Sequence, residues 1–391
     1  MRVFFWTAAY LILHAVILLL MGFCIRHSLP FGNPPKTRHY FLLLILIILG
    51  VIPVLGAFLP DSNFKYLMQA VGNIWLGILI YYALCLLVLV MLFLLAGAVI
   101  HRPLYMGKCL IIPILLTALI CSYGLIHAQH PVLKTYEVDI PSEEALPDMK
   151  IVLIADLHLS VNSQVELTKR MVELVNEQDA DLILVAGDIF TSTYKGLKDP
   201  EKYSEVLRGL KARQGVYAVY GNHDVEEPLF GGFSLVSKDK ALRPKEMEDF
   251  FKDSGFRLLY DEAVYICDGK AVLAGRIDGE KTGTADPSRM SAKELLKDMN
   301  TDLPVLVLEH EPEDYPELKE AGADLVLSGH THNGQIFPGN LVVPLFNENG
   351  YGYKMIHGLH TLVTAGVGYY GPPMRIGTDS EVTVIDLHFT H

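Results

Sequence analysis

An α/β domain behind four membrane-spanning helices is the architecture predicted by this sequence of 391 residues. Three observations predict it. Four long apolar runs fill the first third of the chain. The remainder alternates short apolar, β-branched runs with stretches of helical period. Five of those short runs end in Asp, Asn or His where the chain turns. Charge divides along the same line. Residues 1–130 hold seven Lys/Arg and a single acid, Asp61, a formal +6. With a total of −12, residues 131–391 carry −18. An acidic soluble part argues against a nucleic-acid partner, which usually needs a basic face. Only Cys267 of the five cysteines lies in that part, so neither a disulfide framework nor a cysteine-based zinc site can be built there.

The apolar runs cover about residues 3–23, 40–59, 74–99 and 108–127. Each reaches the ~20 residues a helix needs to cross a bilayer core. No small-x-small cleavage pattern follows the first run and three more runs come after it, so a removable signal peptide is not expected. Pro53 and Pro113 fall inside spans, where neighbouring helices tolerate a kink. His14 is read as an imidazole packed between helices. The loop at 24–39 carries Arg26, Lys36 and Arg38, and the loop at 100–107 carries Arg102. In loop 60–73, Asp61 offsets Lys65. The positive-inside tendency then places the first and third loops in the cytoplasm and both termini outside it. This predicts a multi-pass membrane protein with an extracytoplasmic soluble domain. "LKTYEVDIP", Leu133 to Pro141, reads as a strand by alternation, with no Gly/Ser-rich tether before it. The expected division is a transmembrane region at 1–130 and a soluble domain at 134–391.

Within the soluble part, the strand Ile151–Ala155 ends in Asp156-Leu157-His158, followed by the helical pattern "VELTKRMVELVNEQ". Leu182–Val185 leads to Gly187-Asp188. "GVYAVYGNHD" ends in Gly221-Asn222-His223-Asp224. "LPVLVLEHEP" ends at His310, and "ADLVLSGHTH" at His330 and His332. In layered α/β folds, ligands gather outside the carboxyl ends of strands. Carboxylate oxygen, amide oxygen and imidazole nitrogen suit divalent Mn, Fe, Zn or Mg. An ionised Asp can bridge two such ions, and a pair of ions clamps a phosphoryl oxygen and lowers the pKa of water.

The ordered set D-x-H, G-D, G-N-H-D, a His before Glu-Pro, and G-H-T-H resembles the calcineurin-like metallophosphoesterase family over about residues 134–391. "GHTHNGQIFP" and "AGVGYYGPPMRIGTDSEVTVIDL" resemble its membrane-associated bacterial branch, with Asn333 where that branch often has Gly. The resemblance implies a four-layer α/β/β/α sandwich and a phosphoesterase holding two divalent metal ions. It implies that Asp156, His158 and His332 bind one ion, that Asn222, His310 and His330 bind the other, and that Asp188 bridges them. His223 would face the substrate and serve its leaving oxygen, and Asp224 would orient His223 through a carboxylate–imidazole hydrogen bond.

The bilayer is then one expected partner, and the expected substrate is a phosphoester, with a lipid-linked or cell-envelope ester favoured by the membrane tether. Whether it is a mono- or diester stays open. Two other classes fit less well. A receptor or sensor that binds a phosphorylated ligand without turnover would carry charges in its spans, which are almost free of them. A structural anchor with a relic site would have lost ligands. The segment Glu226–Pro244 reads as a lip bearing on substrate choice. Arg276 and Arg375 suit either a phosphate contact or a structural ion pair.

Overall fold

The computed structural model describes residues 11–23, 36–101, 107–143, 146–230, 233–234, 241–284 and 288–390. The chain divides into two compact units. One comprises Met1–Ile126, Leu229–Leu235 and Gly371–Met374; the other comprises His127–Pro228, Val236–Tyr370 and Arg375–His391.

The first unit is helical: α1 (Leu11–Phe23), α2 (Lys36–Phe58), α3 (Asn63–Val99) and α4 (Ile111–His127). Two stretches are long and apolar enough to cross a membrane, Asn63–Val99 and Lys108–His127. Leu11–Phe23 and Leu44–Phe58 are shorter apolar helices. Residues 3–10 of the first expected span lie outside the described residues. Helix α3 starts eleven positions before the expected span because Ser62 caps it, its hydroxyl accepting the Lys65 N–H at 3.2 Å. His14 is buried, close against Gly50 and 6.3 Å from the Trp75 ring. A small hairpin, β5 (Leu229–Phe230) and β6 (Phe233–Ser234), lies in the segment expected to form a lip.

The second unit is built on two six-stranded mixed sheets. The first runs β1 (Val132–Pro141), β14 (Glu381–Thr390), β2 (Met149–Ile154), β3 (Leu182–Ala186), β4 (Val216–Val219) and β7 (Arg257–Leu258). The second runs β12 (Gly352–Ile356), β13 (Leu359–Val363), β11 (Leu325–Ser328), β10 (Val305–Leu308), β9 (Ala271–Gly275) and β8 (Glu262–Ile266). The four strands β2, β3, β4 and β7 are parallel, as are β9, β10, β11 and β13. Antiparallel β14, β8 and β12 pair at their flanks.

Side-chain alternation sets the layers. Ile151, Leu153, Leu182 and Leu184 of the first sheet pack with Leu273, Leu306, Leu325 and Leu327 of the second in one core. Val152, Ile154 and Ile183 face the opposite way, onto α5 (Val165–Asn176), α6 (Pro200–Leu207) and α7 (Lys245–Asp253). Val272, Val305 and Val326 face α8 (Ala292–Leu296) and α9 (Tyr315–Glu320). Both sheets are thus buried on both faces, which is why their strands read as continuous apolar runs. A short helix, α10 (Gly339–Val342), follows β11.

Candidate metal centre

The parallel strands β2, β3, β4, β10 and β11 end side by side, and each delivers its next residues to the same end of the sandwich. Local backbone shape does the delivery. Asp156, His158, Asp188, His330 and His332 all adopt left-handed φ, between 46° and 74°. Such angles cost a non-glycine residue of order 1 kcal/mol or more and persist where surrounding bonds fix them. Here the Asp156 N–H donates to Gly187 O and the His158 N–H to Asp188 O, both at 3.0 Å. Gly187, at φ 78°, lets the chain turn into Asp188, and a Cβ there would meet the Gly221 amide nitrogen at 2.5 Å. A Cβ on Gly221 would strike the Asp188 carboxylate. The turns after β3 and β4 therefore touch backbone to backbone.

All seven expected ligands converge. His158 Nε2 lies 2.9 Å from His332 Nε2, 3.5 Å from Asp188 Oδ2 and 3.9 Å from Asp156 Oδ1. His332 Nε2 is 3.6 Å from Asp156 Oδ1. On the other side, His310 Nε2 is 3.2 Å from Asp188 Oδ2, 3.1 Å from Asn222 Oδ1 and 3.2 Å from His330 Nδ1. Asp188 thus touches both groups. Two sets of donor atoms are close enough to share an ion: Asp156, His158 and His332; and Asp156, Asp188 and His310.

The donor chemistry fits a cation. His310 Nδ1 faces the Ala186 carbonyl at 2.7 Å, and a carbonyl only accepts, so Nδ1 carries the proton. The Asn222 amide nitrogen donates to Glu280 Oε2 at 3.2 Å, which turns its oxygen inward. His310 Nε2, the Asn222 oxygen and an Asp188 oxygen then meet at one place, and two oxygen lone pairs aimed at that nitrogen require a positive charge between them, a proton on Nε2 or a cation in its stead.

Electrostatics agree. Burial pushes His158 down to about 3 and His330 to about 4, and lowers His332 further, keeping three imidazoles neutral. Burial works against a charge on His310 as well, but Asp188 and Asp156 outweigh it and raise that group well above its ordinary value. Burial would raise Asp188, yet His310 and His223 hold it well below the carboxylate range. Asp156 is raised to about 7, chiefly by burial and in part by Asp188. The pocket favours positive charge beside Asp188 and neutral imidazole around it, as metal ligation does.

The His223 N–H donates to Asp188 Oδ1 at 2.8 Å. Its ring stacks on Tyr370, with centroids 4.6 Å apart, and lies 5.6 Å from the His158 ring. The expectation for Asp224 is corrected. Its carboxylate accepts the backbone N–H groups of Gly221 (2.8 Å), Phe190 (2.9 Å) and Asp188 (3.0 Å). It braces the two turns and does not meet the His223 ring. The reason is geometric. The Asp224 N–H closes a turn onto Gly221 O at 3.1 Å, and the side chain folds back into that turn.

The group at His223 is one the sequence did not reveal. Ser192 Oγ lies 2.9 Å from His223 Nδ1 and donates to Glu227 Oε1 at 3.1 Å. Lys281 Nζ meets the same Glu227 oxygen at 2.6 Å, and His223 Nδ1 is 3.5 Å from it. Ser192 has one proton; given to Glu227, it leaves its oxygen to accept from His223 Nδ1–H. Arg375 was also left open by the sequence. It is fully buried, donates to the carbonyls of Gly368, Ala365, Gly366 and His332, and its guanidinium lies 3.2 Å from His332 Nδ1. It fixes the loop that carries His332 and, among the described residues, holds no ion pair. Arg276 is an ion-pair residue, 3.0 Å from Glu309, with both partners buried.

Stacked α/β layers with buried carboxylates and imidazoles gathered at their strand ends define a metal-dependent hydrolase class. The sequence profile of calcineurin-like phosphoesterases matches residues 149–334. A Danio rerio protein named "Transmembrane protein with metallophosphoesterase domain" is 32% identical over 295 residues, covering 71% of this chain and 62% of its own length. An uncharacterized metallophosphoesterase of Campylobacter jejuni is 29% identical over 285 residues, covering 70% of this chain and 69% of that protein. One from Aquifex aeolicus is 31% identical over 252 residues, covering 62% and 88%. This chain belongs to the calcineurin-like phosphoesterase family, the metal-dependent phosphoesterases. It spans less than two thirds of the Danio rerio relative.

Proposed function

We propose that this protein is a membrane-anchored phosphoester hydrolase that works with two divalent cations. The observation that carries the reading is the convergence of seven electron-pair donors from five strand ends, with the His310 tautomer fixed by Ala186. Asp156, His158 and His332 would hold one ion and Asn222, His310 and His330 the other, with Asp188 within reach of both. Such ions, when bound, polarise phosphoryl oxygens and bring the pKa of water toward neutrality.

The protein's own groups do the rest. The neutral imidazoles and the ionised Asp188 would hold the ions, and their own lone pairs would not face the phosphoryl group. Tyr370 and Ser192 hold the His223 ring, whose Nε2 delivers a proton to the leaving oxygen. Glu227, through Ser192, keeps the proton of His223 on Nδ1 and so turns Nε2 toward the substrate; Lys281 holds Glu227 in place.

Residues 1–130 form a transmembrane region of four spans and 134–391 the catalytic domain, which lies on the extracytoplasmic side. The loop charges and the four apolar runs support this arrangement. The name of the Danio rerio relative supports the membrane anchor. Such a tether favours an amphiphilic or envelope-linked phosphoester, and the segment Glu226–Pro244 bears on its choice. The test uses the full chain with Mn²⁺ on aryl phosphate mono- and diesters. Turnover is expected in the wild type. Asp188→Ala is expected to lose both metal and turnover, because the carboxylate common to both groups is gone. Equal turnover in the two proteins would end this reading.

A further inference from the structure

Beyond the metal centre, the catalytic unit carries an apolar surface that the fold leaves uncovered. Leu341, Val342, Leu345 and Phe346 are 60%, 45%, 76% and 81% exposed. Leu341 with Leu345, and Val342 with Phe346, are spaced four apart along α10 and the tight helical turn Val343–Leu345 that continues it. They therefore form one ridge. The ridge is rigidly rooted. Gly334 and Gly339 pack backbone to backbone beneath it, so that a Cβ on either would collide with the other's main chain. The Phe337 N–H donates to Ile376 O at 2.7 Å. No charged side chain occurs from Asn333 to Asn347. This stretch begins directly after His332, so the ridge hangs on the loop that carries a metal ligand.

We propose that this ridge docks into the interface of a lipid bilayer and that the metal centre takes its phosphoester from that surface. Three arguments select lipid. Exposed leucine, valine and phenylalanine side chains gathered on one helical face match the apolar half of an interfacial segment, and no charge beside them opposes its burial. A bilayer is within reach by chain length alone, since β1 begins at Val132, five residues after α4 ends at His127 and after two stretches apolar enough to span. Four side chains are too few to bury the ~1,200 Å² of a stable pairing between copies. The substrate part of this proposal rests on the hydrolase reading above; the docking part does not.

The test uses the full chain in phosphatidylcholine vesicles with an environment-sensitive fluorescent amino acid in place of Phe346 or, separately, of exposed Lys202. At 346, brominated acyl chains should quench it, and aqueous iodide should quench it at least about fivefold less than at 202. Equal iodide quenching at both positions would overturn the docking. So would efficient crosslinking of two chains through a photoreactive residue at Leu345. For the substrate, Leu345→Glu with Phe346→Glu should slow hydrolysis of hexadecyl p-nitrophenyl phosphate in the vesicles by about tenfold or more. Hydrolysis of dissolved bis(p-nitrophenyl) phosphate should stay within about twofold. Parallel losses on both esters would overturn the substrate assignment. Absence of turnover on either ester by the wild type would sink the hydrolase reading and the substrate assignment with it, and leave the quenching result to decide docking.

Discussion

Replacing Glu227 by Gln keeps the shape of the buried side chain and removes its charge. At 3.5 Å from His223 Nδ1, that charge attracts an imidazolium by roughly 5 kcal/mol for an effective dielectric of about 20. Lys281 sits 2.6 Å from the same oxygen and cancels much of the field. What remains is the orientation of Ser192 and a partly neutralised carboxylate, together about 1–2 kcal/mol, or about 5- to 30-fold in turnover. The loss should depend on the leaving group. A nitrophenolate departs without a proton, whereas a phenolate or alkoxide needs one from His223, so the defect should be larger for phenyl and alkyl esters. Steady-state kinetics of the Mn²⁺-loaded full chain across such a series, with metal content measured alongside, reads this out. Glu227→Gln also leaves the buried Lys281 without a counter-charge, which can cost about 3–5 kcal/mol of stability. Ser192→Ala removes the hydroxyl bridge and leaves the Glu227–Lys281 pair intact, so it serves as the second variant. A loss of the same size for every leaving group in both variants, or none in either, would refute the assignment of Ser192 and Glu227 to the His223 proton.

His223→Ala should retain its metal content by elemental analysis and lose turnover by about 10²-fold or more, with the greatest loss on poor leaving groups. Metal binding should release protons in acid. Asp156 is held up at about 7, so below that pH it binds a proton that a cation must displace, and affinity falls as pH falls. Calorimetry near pH 6 in buffers of different ionisation enthalpy should find net proton release on metal binding, to which Asp156 and His310 both contribute, and buffer-independent heat would contradict it. Asp224→Asn should act on stability and not selectively on the proton step. An amide cannot accept all three N–H groups, so unfolding should be easier by about 1–3 kcal/mol while the leaving-group dependence of residual turnover is unchanged.

What could be read from the sequence and what could not have one physical cause. A strand end fixes the position of the next two or three residues, so short motifs after apolar runs carry spatial information. Asp156 with His158, Gly187-Asp188, and His330 with His332 are local statements about turns, and parallel neighbours bring those turns together. Which face Ile151 and Leu153 take against Val152 and Ile154 was not legible, because a strand buried on both sides is apolar at every position. Adjacency along the chain misleads where a turn reverses direction. Asp224 follows His223, but the turn onto Gly221 O sends its carboxylate back to backbone N–H groups, away from the ring. The carboxylate that does face His223 comes from Glu227, through a serine 31 positions upstream of that histidine and against a lysine 54 positions beyond the glutamate. No short pattern links these positions, since each lies in a loop whose path is set by packing. The same holds for the ridge at Leu341 to Phe346. Its apolar run gives no sign of lying on the outside, and its placement there goes with the packing of Gly334 against Gly339 and the Phe337–Ile376 bond. The candidate ion ligands are thus specified by strand ends, while the groups beside His223 and the exposed ridge are specified by loop contacts distant in sequence. Substitutions at Ser192, Glu227 and Leu345 should therefore alter turnover and substrate preference with the metal complement intact.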